Sequence, residues 1–370
     1  MSYGTINADV IGTSVANSNI GAGNASIMKN RIINGAMVID QRNAGASVTP
    51  TLDNTYTLDR WSTGLSQASK FSVQQNAGSV TPPVGFSNYL GVTSLANTSL
   101  AAGDYFMLKY TIEGFNTSDL MFGTANAKTI TLSFQVYSSL TGTFGGSLQN
   151  SAQNRSYPFS YSIPVANTWT TVSVTIAGDT TGTWIGATNG KGLTIWYGLG
   201  VGSTYSGTVN TWAGASYFAP TGATSVVGTS GATFYITGVQ LEVGSSATGF
   251  EYVNYQTSLA NCQRYYYIYK NAAASFPFVP VWLNSSTNGL AGIRFAVPMR
   301  ASPTFTSSGI VQWTPAGSSQ SLTSITLTDA DGNGARIDTV ATSAVYTAGQ
   351  VTFLQNSAAG GGVMSFNAEL

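Results

Sequence analysis

The sequence has no histidine and a single cysteine, Cys262. Without histidine there is no Ser-His-Asp or Cys-His pair, no imidazole ligand for zinc and no imidazole pH switch. One cysteine cannot close a disulfide within the chain, so cysteine usage is silent about redox compartment. Charge is also scarce. Lys and Arg number 14 against 14 Asp and Glu, together 8% of 370 residues, where an ordinary soluble domain carries roughly 25%. The formal net charge of zero leaves no basic field for nucleic acid or an anionic membrane. No apolar run reaches the ~18–20 residues of a membrane-spanning helix, so no membrane insertion is expected. Met1 to Gly21 shows no basic cluster ahead of an apolar block, so no secretory leader is expected either.

What is present is apolar and neutral. Hydrophobic residues make up 43% and there are 42 glycines. Disorder is not expected from this composition, because it needs low hydrophobicity and high net charge. The surface must be wetted by Ser, Thr, Asn and Gly, which offer little repulsion between copies. That suits a permanent oligomer better than a free monomer.

Three segments are predicted. Residues 1–29 carry Ile6, Val10, Ile11, Val15, Ile20 and Ile27 at spacings near four or five, keeping neither a strand nor a helix period. This reads as an N-terminal attachment arm, with Ile6, Ile11, Val15 and Ile20 as interface residues. Residues 30–255 read as short strands punctuated by Gly, Asn, Ser and Asp. In Thr129–Tyr137 the residues Ile130, Leu132, Phe134 and Val136 alternate with polar ones, the pattern of a half-buried antiparallel strand. Tyr105–Ile112, Thr170–Ile176, Leu193–Tyr197 and Thr233–Val243 continue it. The expected fold is all-β, a jelly-roll sandwich. Residues 256–370 are predicted as a smaller C-terminal β domain, entered through a helical turn at Leu259–Gln263. Arg264, Tyr265 and Tyr267 follow that turn and are read as an interface cluster, since a guanidinium stacks well between phenol rings.

Three passages narrow the reading. They are Lys29–Gly45 (KNRIINGAMVIDQRNAG) with Tyr56–Trp61 (YTLDRW), then Thr233–Glu251 (TFYITGVQLEVGSSATGFE), then Leu259–Tyr266 (LANCQRYY). In this order the set resembles a family of bacteriophage tail-fibre or minor virion structural proteins, whose middle part is similar to carbohydrate-binding jelly-roll modules. The resemblance covers about residues 29–270 and is looser beyond. It implies a non-enzymatic homotrimer on the particle surface, assembled in the host cytoplasm. The arm would dock on other virion proteins, and the loops would face host polysaccharide. A head fibre, decoration or connector protein is the alternative, and a tailspike depolymerase a third. The resemblance carries no shared set of sugar-contacting residues.

Candidate chemistry follows from side-chain type. Sugar sites use an exposed aromatic face beside hydroxyl-matching polar groups, and Trp184, Trp196, Tyr197, Trp212 and Tyr217 are the candidates. Core or interface packing is the competing use of each. Asp329-Ala-Asp-Gly-Asn-Gly334 opens like a calcium loop with Asp329, Asp331 and Asn333, but Val340 stands where the bidentate Glu belongs. A hairpin turn is the better reading. Glycan hydrolysis needs two carboxyl groups about 5–9.5 Å apart across a cleft. Asp104, Glu113, Asp119, Asp179, Glu242 and Glu251 are scattered. Gln240 and Glu242 are predicted to face water, with Val239, Leu241 and Val243 inward. Trp61 is predicted in the core, with Asp59 and Arg60 pinning the strand end. No motif calls for a cofactor.

Overall fold

The computed structural model describes residues 29–270, 273, 277–357 and 361–370. The predicted interface residues Ile6, Ile11, Val15 and Ile20 lie outside them. Two compact units divide the chain, the first ending at Val253 and the second spanning Asn254–Leu370. The fold is all-β as expected.

The first unit holds β1 (Tyr56–Leu58), β2 (Trp61–Leu65), β3 (Phe71–Gln75), β4 (Leu90–Ser94), β5 (Tyr105–Glu113), β6 (Ile130–Ser138) and β7 (Gly142–Gln149). It continues with β8 (Ser156–Ile163), β9 (Thr170–Ile176), β10 (Lys191–Val201), the short β11 (Ser206–Gly207) and β12 (Ala219–Pro220), and β13 (Thr233–Val243). One sheet runs β1-β2-β5-β10-β7-β8 and the other β3-β4-β13-β6-β9. Both are antiparallel throughout, and they form a jelly-roll-type sandwich. Their inner faces share one core that includes Trp61, Phe106, Phe134, Phe159, Tyr197 and Phe234. Strand β6 follows its alternation, with Ile130, Leu132, Phe134 and Val136 all buried. On edge strand β9, Thr171, Ser173 and Thr175 face water while Val172, Val174 and Ile176 face in.

Trp61 enters the core as predicted. Its indole N–H donates to the Asn34 carbonyl at 3.2 Å, and its ring lies 5.0 Å from Tyr110. The Asp59 carboxylate accepts from the Gln41 backbone and side-chain amides. Arg60 donates to the Thr111 carbonyl at 2.5 Å and lies over the Tyr110 ring. Residues 29–41 thereby form a strap, whose Asn34 side chain alone bonds both Ile39 and Asp59.

The prediction for β13 fails at its end. Gln240 and Glu242 are buried and Val243 is exposed. Two causes act together. Gly238 takes a left-handed φ of 61°, and the pairing with β6 slips between Thr237 and Gln240. The chain then returns over the strand. Glu242 accepts from the Thr248 N–H and hydroxyl and from the Gln240 amide, while Gln240 accepts from the Glu251 N–H. Glu242 is therefore a buried clasp, and solvent does not bathe it.

The second unit opens with helix α1 (Tyr255–Gln263), capped by the Asn254 side chain accepting from the Thr257 N–H at 2.9 Å. Cys262 is buried on it. Strands β14 (Tyr266–Lys270), β15 (Pro277–Leu283), β16 (Asn288–Arg294), β17 (Thr304–Ser308), β18 (Ile310–Trp313) and β19 (Ser319–Gln320) follow. Then come β20 (Leu322–Ala330), β21 (Gly334–Ala341), β22 (Val351–Asn356) and β23 (Val363–Asn367). They make a three-stranded sheet β14-β23-β17 and a seven-stranded sheet β19-β18-β22-β15-β16-β21-β20. Tyr265, expected on an interface, is fully buried within this unit, its carbonyl accepting from the Ala368 N–H. Tyr267 is half-buried against Tyr269 and Phe295, and Arg264 is half-buried too.

Candidate functional site

Two loops meet at one end of the sandwich. One joins β5 to β6 and the other joins β9 to β10. Register explains the meeting. Glu113 ends β5 opposite Lys191, which starts β10, and Ile130 starts β6 opposite Ile176, which ends β9. Between the loops lies a groove of about 320 Å³. Leu120, Met121, Phe122, Trp184, Ile185 and Leu193 give it apolar walls, and Thr117, Ser118 and Thr124 add hydroxyls.

The groove is rigidly built. Phe122, Trp184 and Trp212 pack edge to face, with centroids 5.0, 5.9 and 5.5 Å apart. Such aromatic pairs are each worth about 0.5–1.5 kcal/mol beyond burial. Behind them, Asp179 is 2% exposed and makes a two-point ion pair with Arg155, 2.7 Å on each arm. Its carboxylate also accepts from the Thr181 N–H and hydroxyl and from the Trp184 indole at 3.3 Å. Burial pushes the Asp179 carboxyl up, but Arg155 and Thr181 outweigh it and hold the group below the usual carboxylate range. On the other loop, Asp119 makes a two-point pair with Arg31 at 2.6 and 2.7 Å, and that guanidinium holds its carboxyl low.

The five aromatic candidates separate. Trp184 walls the groove. Trp212 stands behind it, its indole N–H donating to the Ala177 carbonyl at 2.8 Å and its ring packed on Tyr157. Tyr217 is half-buried, its ring against Gly207. Trp196 and Tyr197 are corrections, at 4% and 0% exposed. Tyr197 points into the main core against Phe134 and Trp61. Trp196 points the other way, but Phe218 covers it at 4.9 Å and its N–H is taken by the Gln149 side chain. Neither ring can meet a ligand.

Three further carboxylates, Asp104, Glu251 and Asp331, are engaged in the protein's own hydrogen bonds. Asp104 accepts from Gln67, Ser66 and the Ala101 N–H, the Gln67 amide doing most to lower its pKa. Glu251 accepts from the Asn30 N–H at 2.6 Å. In the second unit Asp331 occupies the turn between β20 and β21. Its carboxylate accepts from the N–H groups of Asn333 and Gly334, and those two bonds lower its pKa. This is the hairpin turn that the Gly/Asn pattern favours. Among the described residues, no cluster of three or more Asp, Glu, Cys or His side chains is arranged to hold a metal ion. Among them also, no helix is long and apolar enough to cross a membrane.

No family model matches the chain, and no curated protein matches it. Solved structures overlap it weakly. The enzymatically active domain of tailspike protein 4 of bacteriophage CBA120 is 12% identical with a TM-score of 0.31, covering 58% of this chain and 21% of that one. The chain thus spans about a fifth of that protein's length. A CBM4 structure is 12% identical with a TM-score of 0.31, covering 57% of this chain and 98% of that one. The family 11 carbohydrate-binding module of a Clostridium thermocellum cellulosomal cellulase is 13% identical with a TM-score of 0.26, covering 55% and 99%. Overlap at this level adds nothing to the sandwich already described from its own strand pairing.

Proposed function

We propose that the chain is a non-catalytic structural component of a bacteriophage virion, a tail-fibre or tail-tip protein, whose sandwich unit binds host surface glycans. The observation that carries glycan binding is the groove between the β5–β6 and β9–β10 loops, a preformed concave site with an indole wall and hydroxyls at its margin. Apolar pockets with few convergent polar groups are the usual form of small-ligand sites. The phage reading is supported by the ordered motifs Lys29–Gly45, Tyr56–Trp61, Thr233–Glu251 and Leu259–Tyr266. The engagement of Asp104, Asp119, Asp179, Glu242 and Glu251 in structural contacts supports binding without hydrolysis. A homotrimer is what the resemblance implies, the neutral surface suits permanent self-association, and three weak sites acting together would multiply affinity ~10²–10⁴-fold.

The test is adsorption of the purified protein to host envelope polysaccharide, with sedimentation equilibrium for its copy number. Ala187 is exposed and lines the groove, so Ala187→Trp is expected to fill it while leaving the residues of the aromatic trio unsubstituted. Loss of adsorption in that variant at unchanged Tm is expected. Unaltered adsorption would move the site elsewhere, and a monomer at micromolar concentration would remove the trimer.

A further inference from the structure

Resting on the glycan-binding reading of this groove, we infer that it selects a neutral glycan through a methyl-bearing substituent, a deoxy or O-acetyl group, and rejects acidic sugars. The inference comes from what the walls offer. No Asp, Glu, Asn, Gln, Lys or Arg side chain lines the groove. A fully hydroxylated sugar normally meets planar amides or carboxylates that match adjacent hydroxyls two at a time. Here a pair of adjacent hydroxyls would meet at best a single Ser or Thr oxygen at the margin, and those buried deeper would lose their partners, which penalises them.

The hydroxyls at the margin have directed their protons into the protein and keep only acceptor oxygens for a ligand, the Ser118 hydroxyl donating to the Phe115 carbonyl at 3.5 Å. The Thr117 hydroxyl donates to the carbonyls of Gly114 and Ile185, and the Thr124 hydroxyl donates to the Met121 carbonyl. The Trp184 indole N–H is directed at the Asp179 carboxylate and the Thr181 carbonyl. The ring offers a ligand carbon surface and nothing to accept. For an anionic sugar the position is worse. The nearby cations Arg31 and Lys128 both face Asp119, at 2.6 and 3.9 Å.

The rim strengthens the point. Met121 is 40% exposed and holds a left-handed backbone, φ 54° and ψ 30°. That conformation is uncommon for a non-glycine residue and is strained for a bulky one. It puts a flexible thioether at the mouth of the groove, a side chain that moulds to small apolar groups. The volume of about 320 Å³ lies at the small end of ligand sites, which run from about 300 to 1,000 Å³. It admits a substituent and the ring carrying it rather than a long chain.

The test uses the full chain and matched neutral oligosaccharides by titration calorimetry or saturation-transfer NMR. One pair differs only in 6-deoxyglucose against glucose. A second is an O-acetylated xylan oligosaccharide before and after mild base. A uronic-acid oligosaccharide is the third probe. The methyl-bearing member is expected to bind roughly ten-fold or more tightly, the usual worth of a methyl group in an apolar pocket. The uronate is expected not to bind. Met121→Asn, which tolerates the left-handed backbone, is expected to reduce the preference several-fold with Tm held within about 2 °C. Equal affinity within both pairs, or preference for the uronate, overturns the selectivity while leaving glycan binding intact. Binding that survives Ala187→Trp unchanged, or no binding of any glycan, overturns the groove reading and this inference with it.

Discussion

The Arg155–Asp179 pair supports the groove from behind, and Asp179→Asn tests that support. Breaking a buried pair by removing one partner costs about 3–5 kcal/mol, because the other charge stays buried. Asp179 is 2% exposed, whereas the Arg155 side chain is 18% exposed and can turn partly towards water. The expected loss is therefore near the bottom of that range, about 3 kcal/mol. At about 2–4 °C per kcal/mol for a domain of this size, the melting transition of the first unit falls by about 6–12 °C. The change also has a pH signature. The folded carboxyl has a lowered pKa, so its contribution is whole above the unfolded value of about 3.9. It is lost as pH falls through the lower folded value. The gap between wild type and Asp179→Asn should be constant from neutral pH to about pH 5 and close at lower pH. Adding Arg155→Met should recover part of the loss by removing the stranded cation. Urea unfolding followed by tryptophan fluorescence reads all three. A loss below about 1 kcal/mol, or a gap that stays open at low pH, refutes the account of a buried, paired carboxylate.

Other outcomes follow from the same geometry. A Cβ added at Gly146 would lie 2.0 Å from the Trp196 carbonyl oxygen and 2.7 Å from the Phe159 ring, so Gly146→Ala should cost about 3 kcal/mol by overpacking, read by denaturant unfolding. Burial pushes the Tyr346 phenol up to about 12, and burial followed by its Tyr267 neighbour pushes Tyr269 to about 12. Their contributions are intact below the usual phenol value near 10 and are lost as pH rises towards 12, so the second unit should loosen over that interval, visible as late tyrosinate absorbance. Asp331→Ala should lower the melting temperature slightly by freeing two turn amides, and calcium should shift neither protein; a calcium-dependent rise in the wild type alone would restore a cation loop.

Strand positions were legible where one sheet face is wet. Strand β9 shows this, with Thr171, Ser173 and Thr175 alternating against Val172, Val174 and Ile176. Legibility fails where other chain covers the outer face. Strand β10 is buried almost end to end, because the segment that follows it folds back and lays Phe218, backed by Tyr205, over Trp196. The strand Leu193–Tyr197 was legible, but its alternation does not signal that cover, so the outward indole of Trp196 read as available to a ligand. Gln240 and Glu242 misled for the same reason, compounded by the Gly238 bulge. In the groove, Trp184 could be picked out by its Gly/Thr setting. Leu120, Met121 and Phe122 were missed. Their signal was an apolar triplet wedged between Asp119 and Gly123 in a stretch otherwise rich in turn residues.

The strap at residues 29–41 carries a consequence for biosynthesis. The Arg31 N–H reaches the Leu241 carbonyl, Asn30 reaches Glu251, and the Lys29 ammonium reaches the Gly249 carbonyl at 2.5 Å. The earliest part of the sandwich to leave the ribosome therefore waits for the last part before it can settle. Nascent chains truncated ahead of Thr237 would leave Asn30, Arg31 and Gly35 without their backbone partners Val239 and Leu241, and the strap exposed to chaperones. Because Lys29–Arg31 and Leu241–Glu251 already lie side by side, those two segments could be joined covalently and new termini opened at an exposed turn such as Thr221–Gly222, a rearrangement that would relieve the delay.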